Sequence, residues 1–171
     1  MKTAKSTESH HGILINIFNK GILLTGRAGI GKSSLALELI GAGHSLIADD
    51  IVDFQLDSHG AIIGSCPTML EGLLHTRELC LIPIESLFGP HAWQPQIKLD
   101  YVINIQENYH HQSALKPALE KENICGKPIP KLILSLNNPA SLAVRITAWL
   151  QLQNVPQNTE QLLIQRQKNA L

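Results

Sequence analysis

Neither a surplus of charge, nor a long apolar run, nor a cysteine framework marks this chain. Its 14 basic side chains balance its 14 acidic ones, so nothing in the charge suggests a partner in nucleic acid or an anionic membrane surface. No apolar stretch approaches the roughly 18 residues a membrane-spanning helix needs. Met1 to His11 is polar and lacks the apolar core of a secretory signal. Cys66, Cys80 and Cys125 are far apart and odd in number, which argues against paired disulfides and predicts reduced core residues in a soluble, cytoplasmic protein. No internal repeat is visible. What is present is 171 residues, 44% of them hydrophobic, enough for one domain with its own core.

Function is concentrated between Gly21 and Asp53. An apolar run, Gly21 to Thr25, meets Gly26-Arg27-Ala28-Gly29-Ile30-Gly31-Lys32-Ser33-Ser34, and good helix formers follow. Strand, glycine-rich turn ending in Gly-Lys-Ser, then helix is the Walker A phosphate loop in its expected setting. Gly26, Gly29 and Gly31 can take backbone angles closed to other residues, which lets successive amide N–H groups point at phosphate oxygens. A helix beginning near Lys32 adds its positive dipole end. Lys32 can reach the outer phosphates as a point charge, and the Ser33 hydroxyl can ligate Mg²⁺. The expected ligand is a nucleoside triphosphate.

Along the rest of the chain, Met1 to His10 reads as a mobile tail and Ile13 to Phe18 as a strand. A turn at Asn19-Lys20-Gly21 would lead into the strand before the phosphate loop. The helix spans Lys32 to Ile40, stopped by Gly41 and Gly43. Ser45 to Ala48 is a strand ending in Asp49-Asp50, where Mg²⁺ or a general base would sit in such folds. Ile51 to Leu56 and Ala61 to Ile63 form a second hairpin, and Pro67 to Leu74 reads as helical. Leu79 to Ile84, Tyr101 to Ile105 and Lys131 to Leu136 are strand-like. Glu107 to Gly126 reads as a mobile loop or irregular helix, Leu142 to Leu152 as an amphipathic helix, and Asn154 to Leu171 as a weak helix or tail. Adjacent histidines at 10–11 and 110–111 diverge on a strand and carry no accompanying zinc motif, so no transition-metal site is expected there. Trp93 and Trp149 are expected to anchor the core or an interface.

These residues carry a family resemblance. His11-Gly12, GRAGIGKSSLALELI, GHSLIADDIVDF and Leu87-Phe88-Gly89 resemble the catalytic domain of bacterial HPr kinase/phosphorylase, over His10 to Leu150. That enzyme phosphorylates a serine of HPr, a phosphocarrier of the sugar phosphotransferase system, and can remove the phosphate again. The resemblance implies an α/β fold in which a central mixed sheet carries the phosphate loop and helices flank it. Residues 1–10 would be a tail, 11–153 the catalytic domain, and 154–171 a tail or weak helix. It also implies ATP and Mg²⁺ as cofactors and HPr or an HPr-like carrier as partner, within a homo-oligomer, a hexamer in the family. Gly26 to Ser34 would bind nucleotide, with Lys32 the active-site lysine and Ser33 a Mg²⁺ ligand beside Asp49 and Asp50. Asp50 would take the proton from the substrate serine, His11 would belong to the active site, and Lys116 would stand near an arginine of the family's mobile loop.

The pattern departs in three places. Family members carry Leu-Glu-Ile-Arg-Gly-Leu-Gly where this chain has Leu74-His75-Thr76-Arg77-Glu78-Leu79-Cys80, so an imidazole replaces a Mg²⁺-associated carboxylate. Lys116 keeps charge but loses the bidentate fork of arginine. Asn137-Asn138-Pro139-Ala140-Ser141 stands where the family has Arg-Pro-Gly-Arg-Asn, a segment tied to dephosphorylation, which weighs against phosphorylase activity. A nucleotide-binding regulatory module that has lost catalysis, or a kinase with another acceptor, therefore stays open beside the serine kinase.

Overall fold

The structure, a computed structural model, describes residues 7–110, 117–155 and 159–169. Its strands and helices run β1 (Glu8–His11), β2 (Ile13–Ile17), β3 (Lys20–Gly26), α1 (Lys32–Gly41), β4 (Ser45–Ala48), β5 (Ile51–Leu56), β6 (Ile62–Ser65), β7 (Leu73–Thr76), β8 (Cys80–Pro83), α2 (Ile84–Phe88), β9 (Gln96–Gln106), β10 (Glu120–Ile124), β11 (Lys127–Ser135), α3 (Leu142–Leu152) and α4 (Thr159–Asn169). The fold is α/β with a central mixed sheet flanked by helices.

The long strand β9 organises the sheet. It runs parallel to β3 along one edge; on the other it pairs antiparallel with β6 at its start and parallel with β11 at its end. Strands β2 and β4 continue outward from β3, and β5 and β1 from β6. The C-terminal ends of β3, β9 and β11 therefore lie side by side, and the phosphate loop leaves from the end of β3, next to β9.

Side-chain alternation along β2 builds two cores, because successive residues of a strand point to opposite faces. Ile13, Ile15 and Ile17 share a core with Leu35 and Leu39 of α1 and Ile146 and Leu150 of α3. Leu14 packs instead with Val52, Phe54 and Ile62, from the β5–β6 layer on the other face. Both faces are covered, which is why β2 and β3 read as largely apolar runs and not as a strict alternation. The Ser141 hydroxyl accepts from the Val144 N–H at 3.3 Å, capping α3, and donates to Glu38 of α1 at 3.1 Å. Trp149 lies edge-on to Tyr101 at 4.9 Å, and the Trp93 indole donates to the Ile47 carbonyl at 3.3 Å.

Several expectations need correction. Glu8 to His10, expected in a tail, belong to β1 and pair antiparallel with β5. The first hairpin turns at Phe18-Asn19, both at positive φ, and Lys20 already pairs with Ile17. Pro67 to Leu74 is not a helix. It holds only a 3₁₀ turn at Thr68–Leu70, and Gly72 at φ 68 redirects the chain into β7. Within Glu107 to Gly126, β10 pairs with β11 across Cys125-Gly126, both again at positive φ; a turn centred on cysteine gave no sequence cue. Cys66 is buried as expected, whereas Cys80 is exposed and Cys125 half-buried. Of the C-terminal alternatives, α4 is helical. Among the described residues, no helix is long and apolar enough to cross a membrane.

Candidate active site

The phosphate loop is built by three glycines in conformations that side chains resist. Gly26 has φ 144, Gly29 φ 78 and Gly31 φ 103. At Gly26 a Cβ would also stand 2.7 Å from the Ile105 carbonyl oxygen, so the loop leaves β3 tight against β9. Gly31 caps α1 without contributing a side-chain hydrogen bond. The first-turn N–H groups are thus not capped by a side chain and present the positive end of the helix dipole. Ile30 is buried and anchors the loop from below, while Arg27, Ala28 and Gly29 are exposed. The Lys32 ammonium donates to the Gly26 and Arg27 carbonyls at 2.9 and 3.1 Å. It thereby lies across the loop with a third donor to spare.

Opposite the loop stands the β7–β8 hairpin. Together they enclose an open cavity of about 860 Å³, lined by Gly29, Gly31, Lys32, Ser33 and Ser34 on one side and by His75 to Leu79 on the other. That volume lies within the range of small-molecule sites. Arg77 reaches over the loop, and its Nη2 would lie 3.2 Å from a Cβ on Gly29. A guanidinium there suits phosphate oxygens, which it can meet with two parallel N–H groups. Sequence reasoning treated Arg77 only as part of a motif; the helix expected over Pro67 to Leu74 hid the hairpin that aims it. On the far side of the loop, Arg27 pairs with Glu107 at the end of β9, beside a smaller cavity of about 210 Å³ that Gly26 and Ile30 also line.

The two aspartates after β4 differ. Asp49 is only 9% exposed and accepts the His75 backbone N–H at 2.7 Å, which ties the end of β4 to the hairpin. Burial pushes its carboxyl above the ordinary range, against the pull of the His75 and Asp50 N–H groups. Asp50 instead points outward, its side chain 78% exposed and its Oδ1 3.8 Å from Nδ1 of His11. Its φ is 66, and the Ile51 N–H closes on the Asp49 carbonyl at 2.8 Å. Asp50 is therefore the centre of a positive-φ γ-turn, a rare and strained form. The Gly12 N–H, donating to the Asp50 carbonyl at 3.1 Å, holds it there.

The predicted residues thus fall into two groups. Lys32, Ser33 and Ser34 share the cavity with Gly29 and Gly31; Asp50 and His11 pair at an exposed edge, and the Asp49–His75 bond links the two. Lys116 lies outside the described residues.

Comparison with known proteins agrees with this architecture. Residues 2–167 match the family described as HPr Serine kinase C-terminal domain. The chain belongs to that family. HPr kinase/phosphorylase of Leptothrix cholodnii is 34% identical over 175 residues, an alignment covering 95% of this chain and 52% of the relative. The Bordetella pertussis protein of the same name is 34% identical over 149 residues, covering 86% of this chain and 48% of its own. The chain thus spans about half the length of the curated relatives it matches. The structure of the Hpr(Ser) kinase/phosphatase from Coxiella burnetii superposes with a TM-score of 0.79 at 26% identity, covering 95% of this chain and 96% of that one.

Proposed function

We propose that this HPr kinase domain is an ATP- and Mg²⁺-dependent protein serine kinase acting on HPr or an HPr-like carrier. The observation that supports it most is the pairing of an uncapped phosphate loop with an exposed, strained Asp50 across the Asp49–His75 link. The loop amides, Lys32 and Arg77 would bind and orient the β- and γ-phosphates of ATP, which are the larger part of phosphoryl-transfer catalysis. Asp50 would accept the proton of the incoming serine hydroxyl as its oxygen bonds to the γ-phosphorus and the bond to the β–γ bridging oxygen breaks. A carboxylate in that role contributes typically about 10² to 10⁴ in rate. Both Asp50 and His11 are exposed, as they must be if the hydroxyl arrives on another protein.

The donor set fits a divalent ion carried in with the nucleotide. Among the described residues no three His, Cys, Asp or Glu side chains group closely enough to hold one alone, and Mg²⁺ is ordinarily bound by one or two protein groups plus phosphate and water. Ser33, together with Asp49 and Asp50, would hold the ion, which when bound would neutralise charge on the phosphates. Residues 11–153 would form the catalytic unit of a cytoplasmic homo-oligomer, a hexamer by family resemblance. The segment 137–141 is exposed and holds no arginine, so the reverse, phosphorylase reaction is not part of the proposal.

A second reading, a nucleotide-binding regulatory protein with weakened catalysis, is favoured by the imidazole of His75 facing the cavity in place of a carboxylate. Incubation of the purified chain with Mg·ATP and HPr, followed by mass spectrometry of the carrier, separates them. Phosphoserine on HPr is expected. ATP binding with unmodified carrier would sink the serine-kinase proposal and favour the regulator, or a kinase with another acceptor.

A further inference from the structure

We infer that His75 ligates the nucleotide-borne cation and makes this site prefer manganese, or another first-row transition ion, over magnesium. The inference rests on reading the loop as a nucleotide site. His75 stands in β7 opposite Leu81 of β8, and its exposed side chain lines the same cavity as Lys32, Ser33 and Arg77. Its backbone N–H is fixed 2.7 Å from Asp49 Oδ2, which holds the residue at the end of β4 and on the wall of the cavity that would take the phosphates.

The oxygen donors proposed to hold the ion with Ser33 leave the hairpin side to another ligand. The Asp49 carboxylate is buried and already accepts the N–H groups of His75 and Asp50. Glu38 and Glu78 also line the cavity, but Glu38 receives the Ser141 hydroxyl at 3.1 Å, and Glu78 lies beyond the end of β7, in the turn of the hairpin. Of the hairpin's donors, the His75 ring belongs to the residue held directly against Asp49 at the end of β4. Magnesium takes oxygen and gives up its waters reluctantly. Imidazole suits the transition ions, whose affinity for nitrogen rises from manganese through cobalt to nickel. Since phosphate oxygens and water supply the remaining positions, one nitrogen is enough to bias the choice.

The test uses the full chain with ADP and either Mn²⁺ or Mg²⁺, for wild type, His75→Ala and His75→Glu. Calorimetry gives the ADP affinity with each ion, and pulsed electron paramagnetic resonance of the Mn·ADP complex reports whether nitrogen is bound to the metal. A directly bound nitrogen is expected in wild type and not in His75→Ala. The manganese-over-magnesium affinity ratio should fall by at least about tenfold in both variants. Because His75 is exposed, neither variant should disturb folding. ADP binding in wild type without nitrogen coupling, and with the same ratio in all three proteins, overturns the inference and leaves the nucleotide site standing. No ADP binding with either ion overturns the nucleotide reading and the inference with it.

Discussion

If the γ-turn at Asp50 stores strain for function, removing the side chain while permitting the backbone angle should stabilise the protein and abolish transfer. Asp50 sits at φ 66, where a non-glycine residue in such a turn costs of order 1–3 kcal/mol. Glycine relieves that cost but loses about 0.5–1 kcal/mol more conformational entropy on folding. The side chain's partner is His11, 3.8 Å away at an exposed edge, so little is lost with it. Asp50→Gly should therefore gain about 1 kcal/mol. Asp50→Ala keeps the strain, and loses the tolerance that Asp and Asn have for this region, so it should fall below Asp50→Gly by about 1–2 kcal/mol. Urea unfolding at pH 7, with a slope of about 1–3 kcal/mol per molar, resolves that gap as a shift in midpoint. Equal midpoints for Asp50→Gly and Asp50→Ala would refute the strain argument, whatever the variants do to activity.

The loop makes a second comparison. Gly26→Ala combines a forbidden φ with a Cβ 2.7 Å from the Ile105 carbonyl, whereas at Gly31 a Cβ meets nothing within 4 Å. Gly26→Ala should cost about 3 kcal/mol or more and Gly31→Ala about 1–2, measured by urea unfolding. For Asp49 the sign runs against the usual carboxylate. Burial raises its folded pKa above the ordinary 3.8, so its contribution to stability is largest at low pH and is lost as pH rises through the folded value. Asp49→Asn keeps an acceptor for the His75 N–H without the charge. It should be more stable than wild type at pH 7, with the advantage shrinking as the pH falls toward 3.8, in thermal melts across that range. Burial pushes the Cys66 thiol up to about 11, while Cys80 is exposed. A thiol reagent at pH 8 should label Cys80 in the native protein and reach Cys66 only on unfolding, as peptide mapping would show.

The elements legible in the sequence are those whose local and tertiary preferences agree. The phosphate loop was readable because backbone geometry demands its glycines, and α1 because its apolar spacing matches the core it faces. Asp49-Asp50 was readable as chemistry, but not as one buried and one strained carboxylate, since that difference arises from the β1–β5 pairing and the hairpin. The hairpin itself was half hidden. Thr68 to Leu70 does begin a helical turn, and only Gly72 and the burial of Leu74 and Thr76 on one face decide for a strand. Strand β10 was illegible for another reason: Glu120-Lys121-Glu122-Asn123 has no strand propensity. It is held at the edge by β11, with Lys131 paired to both Glu120 and Glu122.

Asp50 is proposed as the proton acceptor of a nucleotide-dependent transfer. The most direct measurement is the rate of labelled γ-phosphate transfer from Mg·ATP to HPr, taken with ATP affinity, for wild type, Lys32→Ala and Asp50→Asn. Asp50→Asn should still bind Mg·ATP, with at most the modest loss of one cation-side carboxylate, yet transfer about 10² to 10⁴ times more slowly, whereas Lys32→Ala should lose affinity and transfer together. Wild-type transfer by Asp50→Asn would contradict the assignment.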